Sequence, residues 1–132
     1  MDAEHLPVLK EVGDYSRMGG QILFGTDVGY LAQYDPVWEY KYMQRAGLDF
    51  SHILASLTTA PAERFREAKR RGRIAPGMDA DLVVLGSDPA VEIASFTDVR
   101  YTIRRGTIIY SSAPSPGVPH SAGPVLHGSA MN

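Results

Sequence analysis

The chain has 132 residues, and thirteen Lys plus Arg against fifteen Asp plus Glu leave a formal charge of −2. That near balance gives no reason to expect nucleic acid or an anionic membrane surface as a partner. The sequence holds no cysteine, which excludes disulfides, thiolate metal sites and thiol nucleophiles, while a hydrophobic share of 44% permits a modest core.

Residues 1–10 contain no basic region followed by an apolar run, so no signal peptide is visible. The longest apolar runs, such as 82–85, fall far below the roughly 20 residues that span a bilayer. The expectation is a soluble, cytoplasmic protein. Residues 4–18 read as a helix, with Leu6, Leu9, Val12 and Tyr15 at three-residue spacing, Pro7 in the first turn and Gly19-Gly20 as terminator. Gln21, Ile22, Leu23 and Phe24 then make a short apolar run bounded by glycines, the pattern of a strand buried on both faces in a parallel sheet. A polar turn follows at 25–29, Gly-Thr-Asp-Val-Gly.

Asp35 as N-cap and Pro36 at the first helical position start a second helix, which carries Trp38, Tyr42 and Met43 and stops at Gly47. Asp49 or Ser51 caps a third, bearing Ile53, Leu54 and Leu57. Thr58, Thr59 and Pro61 mark a break and a fourth start, running to about Arg70. Arg64, Arg66, Glu67, Lys69, Arg70 and Arg71 make that last surface strongly charged, which reads as a solvated face rather than a binding patch. After Gly72 the pattern changes to strands. Residues 81–85 are rich in Leu and Val, 99–104 alternate Val99, Tyr101 and Ile103 with polar neighbours, and 107–110 follow a tight turn at Arg105-Gly106. Pro76-Gly77 predicts a type II turn between the two halves. From residue 111 onward, four prolines among Ser and Gly predict a disordered tail, and no internal repeat is apparent.

Asp27 is the best single candidate for chemistry. A carboxylate just past the C-terminal end of a buried parallel strand lies where α/β sheets and barrels hold their active sites. Gly25 and Gly29 allow the backbone to turn sharply beside it. Such an Asp can ligate a divalent metal and take a proton from metal-bound water. An Asp in a turn can also simply cap it through its own backbone, and Gly-Thr-Asp alone, a common tripeptide, favours that reading. His5 and His52 lie on predicted helices and His120 and His127 in the tail, and no pair has the spacing that brings two imidazoles to one metal. His52 reads as a surface or packing residue. Tyr30 and Tyr34 follow Asp27 closely enough to line a pocket.

Four segments carry a family resemblance. Gly-Gln-Ile-Leu-Phe-Gly-Thr-Asp-Val-Gly at 20–29 resembles the eighth barrel strand of the amidohydrolase superfamily. Glu-Tyr-Lys-Tyr-Met-Gln-Arg-Ala-Gly at 39–47 and Ile-Leu-Ala-Ser-Leu-Thr-Thr-Ala-Pro-Ala at 53–62 are similar to the helices after that strand in the imidazolonepropionase-like and prolidase-like branch. Gly-Arg-Ile-Ala-Pro-Gly-Met-Asp-Ala-Asp-Leu-Val-Val-Leu at 72–85, then Asp88-Pro89, is similar to the segment where the family's chain leaves the barrel for a small β-sandwich, and Arg-Arg-Gly-Thr at 104–107 to the sandwich hairpin.

The resemblance spans roughly residues 10–110 and implies an α/β fold: a C-terminal fragment of a TIM-like barrel (last strand and helices) plus part of a small β-sandwich. In that division, 1–71 close the barrel, 72–110 are the sandwich segment and 111–132 the tail. It further implies a divalent metal, commonly zinc, that activates water against an amide, cyclic amide or dipeptide C–N bond of a small-molecule or peptide substrate, with Asp27 as metal ligand and general base. The family's other ligands lie upstream and match nothing here, and about 250 residues make a full barrel. The chain alone is therefore expected to be inactive, holding no metal by itself. The alternative is a non-catalytic barrel remnant that oligomerises through open strand edges, and Asp79 and Asp81 are read as structural.

Overall fold

The computed structural model describes residues 6–27, 29–30 and 34–112; Val28, residues 31–33, the first five residues and the segment from 113 lie outside it. His5, His120, His127 and the predicted tail beyond Ser112 therefore fall outside the described residues. Four helices, α1 (Leu6–Arg17), α2 (Val37–Arg45), α3 (Phe50–Leu57) and α4 (Thr59–Arg64), precede three strands, β1 (Leu82–Leu85), β2 (Val99–Arg104) and β3 (Thr107–Ser111). A 3-10 helix, Ile93–Thr97, lies between β1 and β2.

Local chemistry explains the helix ends. In α1, Lys10 and Arg17 both pair with Asp14 one turn away, at 2.6 Å for the lysine. Those hydrogen bonds, Lys10 first, hold the Asp14 carboxyl below its usual range. Asp35 accepts from the Val37 amide at 3.0 Å, and the N-cap position itself is Pro36, so α2 begins one residue later than predicted. Asp49 caps α3 by accepting from the His52 amide at 2.9 Å.

The predicted continuation of α4 to Arg70 is wrong: the helix stops at Arg64. Arg66 takes a left-handed backbone (φ 60°), and the Glu67 and Arg66 amides bond back to the Ala62 and Glu63 carbonyls. That is a Schellman closure, with arginine where glycine is usual, so no glycine advertised the stop.

The predicted buried strand at 21–24 is also corrected. This run is extended but joins no sheet, and its backbone bond goes from the Phe24 amide to the Ser56 carbonyl at 3.2 Å. A strand exists only as one side of a ladder, and among the described residues no other strand lies beside it. Nor is it buried on both faces: Ile22 and Phe24 pack against the core while Leu23 is exposed.

The sheet follows the prediction closely. It is antiparallel in the order β1-β2-β3, with Val84 opposite Tyr101 and Thr102 opposite Tyr110. Arg105 (φ 49°) and Gly106 (φ 78°) form the two-residue turn, both left-handed as a type I′ hairpin demands. At Pro76-Gly77 the Met78 amide bonds to the Ala75 carbonyl at 3.2 Å with Gly77 at φ 82°, a type II turn.

Part of the charged run makes ion pairs while staying partly exposed. Arg70 and Arg71 each donate to Asp79 at 3.0 Å, and Arg71 lies 3.6 Å from Glu67 and 3.8 Å from Asp81. Asp81 also accepts from the Arg105 amide at 2.8 Å, so the two aspartates pin the hairpin to the end of the helical segment. Arg64, Arg66 and Lys69 remain exposed, as predicted for a solvated face.

The core is centred on Tyr40, Ala46, Leu48, Ile53, Ile93 and Phe96, with Leu9, Val12, Ile22, Phe24, Phe50 and Leu85 packed around them. Ile93 and Phe96 come from the 3-10 helix, so this segment joins the sheet to the helices. Ile53 is fully enclosed. Ile53→Ala is expected to cost about 2–5 kcal/mol, since the emptied volume has no side chain free to fill it; urea unfolding followed by circular dichroism measures it.

Candidate functional site

Asp27 closes the extended run that begins at Gln21. Along it Ile22, Phe24 and Thr26 are half-buried while Gln21, Leu23, Gly25 and Asp27 are exposed, a period of two. Phe24 is held on its inner side by the ring of Tyr40, stacked at 4.7 Å between centroids and 12° between planes. Tyr40 in turn meets Phe96 at 5.1 Å, and Phe96 meets Phe50 at 6.0 Å. Tyr40 is buried, and that burial, with Glu39 adding to it, pushes its phenol above the usual range.

At Asp27 the backbone turns left-handed (φ 50°), and its carbonyl accepts from the Tyr30 amide at 3.0 Å. The turn is thus closed by the main chain. No hydrogen bond from a described residue reaches the carboxylate, and Asp27 is exposed.

The structure brings no second titratable group to this carboxylate as part of a metal cluster: among the described residues no group of three His, Cys, Asp or Glu is placed to hold an ion. His52 is committed elsewhere, with Nδ1 2.8 Å from Asp49 Oδ1 at the start of α3. The Asp49 carboxyl is held below its ordinary value, first by the His52 amide and then by the ring. Tyr30 and Tyr34 are largely exposed. Two grooves on the described surface lie elsewhere. One, of about 250 Å³, is lined by Trp38, Lys41, Glu92 and Ile93 among others, and the second runs beside Leu6, Lys10 and Gly47. No helix among the described residues is long and apolar enough to cross a membrane.

Sequence reading singled out Asp27 but missed the rings that hold its approach. Phe24, Tyr40, Phe50 and Phe96 are scattered over seventy-odd positions, and nothing in the local pattern of any one of them points to the others.

Comparison with known proteins gives this geometry its setting. The sequence profile of the amidohydrolase family matches residues 1–110. An amidohydrolase of Hapsidospora irregularis, TasK, is 51% identical over 43 residues, which are 33% of this chain and 4% of that protein. A Xaa-Pro dipeptidase solved with methionine in its active site superposes with a TM-score of 0.72 at 26% identity, covering 79% of this chain and 25% of its own. A prolidase complexed with N-methylphosphonate-L-proline gives 0.62 at 27% identity, covering 78% and 26%. The chain therefore spans about a quarter of the length of these solved relatives.

Asp27 at a left-handed position makes a stability test possible. Asn tolerates that backbone as Asp does, so Asp27→Asn is expected to change unfolding free energy by no more than about 0.5 kcal/mol. Asp27→Val, β-branched at positive φ, is expected to destabilise by about 1–2 kcal/mol. In paired thermal melts, a loss in Asp27→Asn well above that figure would give the carboxylate a structural role.

Proposed function

The chain belongs to the amidohydrolase family, and on that premise we propose that it is the C-terminal part of a hydrolase that cleaves an amide, cyclic amide or dipeptide C–N bond. Asp27 is its contribution to the reaction. The observation that supports this reading is the placement of Asp27: within the matched stretch it stands exposed, without a hydrogen-bond partner among the described residues, at the end of a run packed on an aromatic ring. The solved relatives include a Xaa-Pro dipeptidase and a prolidase, which favour a dipeptide among the candidate substrates. In this reading residues 1–71 close a TIM-like barrel, residues 72–110 join a small β-sandwich, and the enzyme acts in the cytoplasm.

The family is generally metal-dependent, and the proposed cofactor is a divalent cation, zinc first. The described residues do not by themselves fit such an ion, because Asp27 offers oxygen donors from one side chain and no cluster surrounds it. What this chain's own residue can do is accept a proton: a carboxylate beside the water that attacks a carbonyl carbon acts as general base, then returns the proton to the departing nitrogen. A chain with this one group is inactive alone.

A second reading is favoured by the sheet. Val83, Ile108, Ile109 and Tyr110 are half or more exposed, and among the described residues β1 and β3 both leave an edge unpaired. An apolar edge without Lys or Pro invites pairing, so the chain is proposed to self-associate when no larger partner covers it.

One preparation tests both. The chain is assayed against a Xaa-Pro dipeptide with zinc, alone and mixed with a polypeptide carrying the preceding three-quarters of a prolidase relative. Turnover is expected only in the mixture, and Asp27→Asn is expected to lower it by about 10²–10⁴-fold. Equal turnover with aspartate and asparagine would remove Asp27 from the chemistry. Sedimentation of the chain alone is expected to show mass rising with concentration and falling back in Ile109→Lys; a monomer at every concentration rules out the second reading.

A further inference from the structure

We propose that Tyr30 is a specificity-determining residue of the site that holds Asp27: its ring takes the apolar side chain that a Xaa-Pro dipeptide carries before its proline. The proposal rests on the functional reading above, in which the turn after Asp27 lies at the mouth of a barrel.

Tyr30 is tied to Asp27 by the backbone. Its amide donates to the Asp27 carbonyl at 3.0 Å, and a turn closed that way keeps its first and last α-carbons within about 7 Å of each other. A substrate group that meets Asp27 therefore lies within reach of the Tyr30 ring. In a barrel the loops after the strands supply the residues that touch substrate, so this turn faces it in the proposed assembly.

The ring itself is uncommitted. Tyr30 is 90% exposed, and no hydrogen bond or ring contact from a described residue reaches its side chain. Its aromatic neighbours in sequence are engaged: Tyr40 is buried against Phe24 and Phe96, and Trp38 lies beside Tyr42 with Lys41 5.0 Å from its ring centre. The space beside the turn is open, since a methyl group built on Gly25 or Gly29 would meet nothing within 4 Å among the described residues. Single exposed apolar residues are ordinary; what sets Tyr30 apart is its backbone tie to the candidate base. Tyr34 is exposed too, but no backbone bond among the described residues ties it to that turn.

A tyrosine ring offers a ligand a flat apolar face and has only two torsions to order. In a Xaa-Pro dipeptide only the first residue varies, and its side chains differ in how much of such a face they cover. A phenyl group stacks on the ring, while a methyl group barely touches it. Tyr30 thus sorts dipeptides by the size and flatness of that side chain.

The test is calorimetric binding to the chain mixed with the preceding three-quarters of a prolidase relative, with zinc. The probes are Phe-Pro and Ala-Pro analogues whose scissile carbonyl is replaced by methylene, so that nothing is hydrolysed. The Phe-Pro analogue is expected to bind about tenfold tighter than the Ala-Pro analogue. Tyr30→Ala is expected to weaken the first about tenfold and the second by less than about twofold, and Tyr30→Phe, which keeps the face, to retain the preference. A ring that only packs against the rest of the barrel would weaken both analogues alike on removal, and that result overturns the proposal. So does a wild type without the preference, an unchanged preference in Tyr30→Ala, or binding of neither analogue. Turnover separates this inference from the reading on which it rests. If the preference behaves as expected while Asp27→Asn hydrolyses Phe-Pro as fast as wild type, the catalytic role of Asp27 fails and Tyr30 keeps its own. If Asp27→Asn loses turnover while Tyr30→Ala leaves the preference unchanged, the catalytic reading stands and Tyr30 has no part in it.

Discussion

The stack of Phe24 on Tyr40 is the contact on which the arrangement turns. Tyr40 sits where α2, the extended run and the 3-10 helix converge, and its ring meets both Phe24 and Phe96. Remove that ring, and the run leading to Asp27 keeps its backbone bond to Ser56 and the packing of Ile22, while the 3-10 helix keeps Ile93 and the contact of Phe96 with Phe50. Aromatic side chains suit this position because one ring buries a large area with only two side-chain torsions to order. An aliphatic residue there would fill space without fixing the orientation of its neighbours.

A second tie works by charge and lies at the opposite end of the sheet module. Arg71 reaches Asp79, Glu67 and Asp81 from one half-buried guanidinium, and Asp81 in turn accepts from the Arg105 amide in the hairpin turn. The sheet is thus held at two points: by Phe96 and Leu85 in the core and by the aspartates at the turn. Between them its strands have little else to lean on. Val83 and Ile108 stay more than half exposed, so the module is joined firmly at its ends and left bare along its faces. Surface ion pairs are individually weak, but Arg71 and Asp79 are partly shielded and share partners, which raises the value of the network above that of a single exposed pair.

Most of the second half was legible in the sequence because its signals are local. β2 falls on the predicted 99–104, and both turns follow from residues that tolerate or demand a left-handed backbone, Arg105-Gly106 and Gly77. The Asp49 cap was legible for the same reason, since a capping side chain acts within three residues of itself. What could not be read depended on distant partners or on an uncommon choice. The apolar run at 21–24 has the composition of a strand, yet strand formation is decided by a neighbour that composition does not reveal. The end of α4 is set by Arg66 in a conformation that glycine normally supplies. Asp27 could be named as a candidate, but not its freedom from hydrogen bonds or the rings its segment packs on.

That freedom narrows what Asp27 is for. A turn aspartate that serves only the fold usually spends its carboxylate on nearby amides, as Asp35 does on Val37 and Asp88 on Ala90. Asp27 occupies a turn whose closing bond is made by its own carbonyl, and it adopts a left-handed backbone that an L-residue enters at a cost. Glycine would fill the position with less strain, and glycines stand two residues to either side. An exposed carboxylate at a left-handed position, with no partner among the described residues, is the feature on which the catalytic proposal for Asp27 rests.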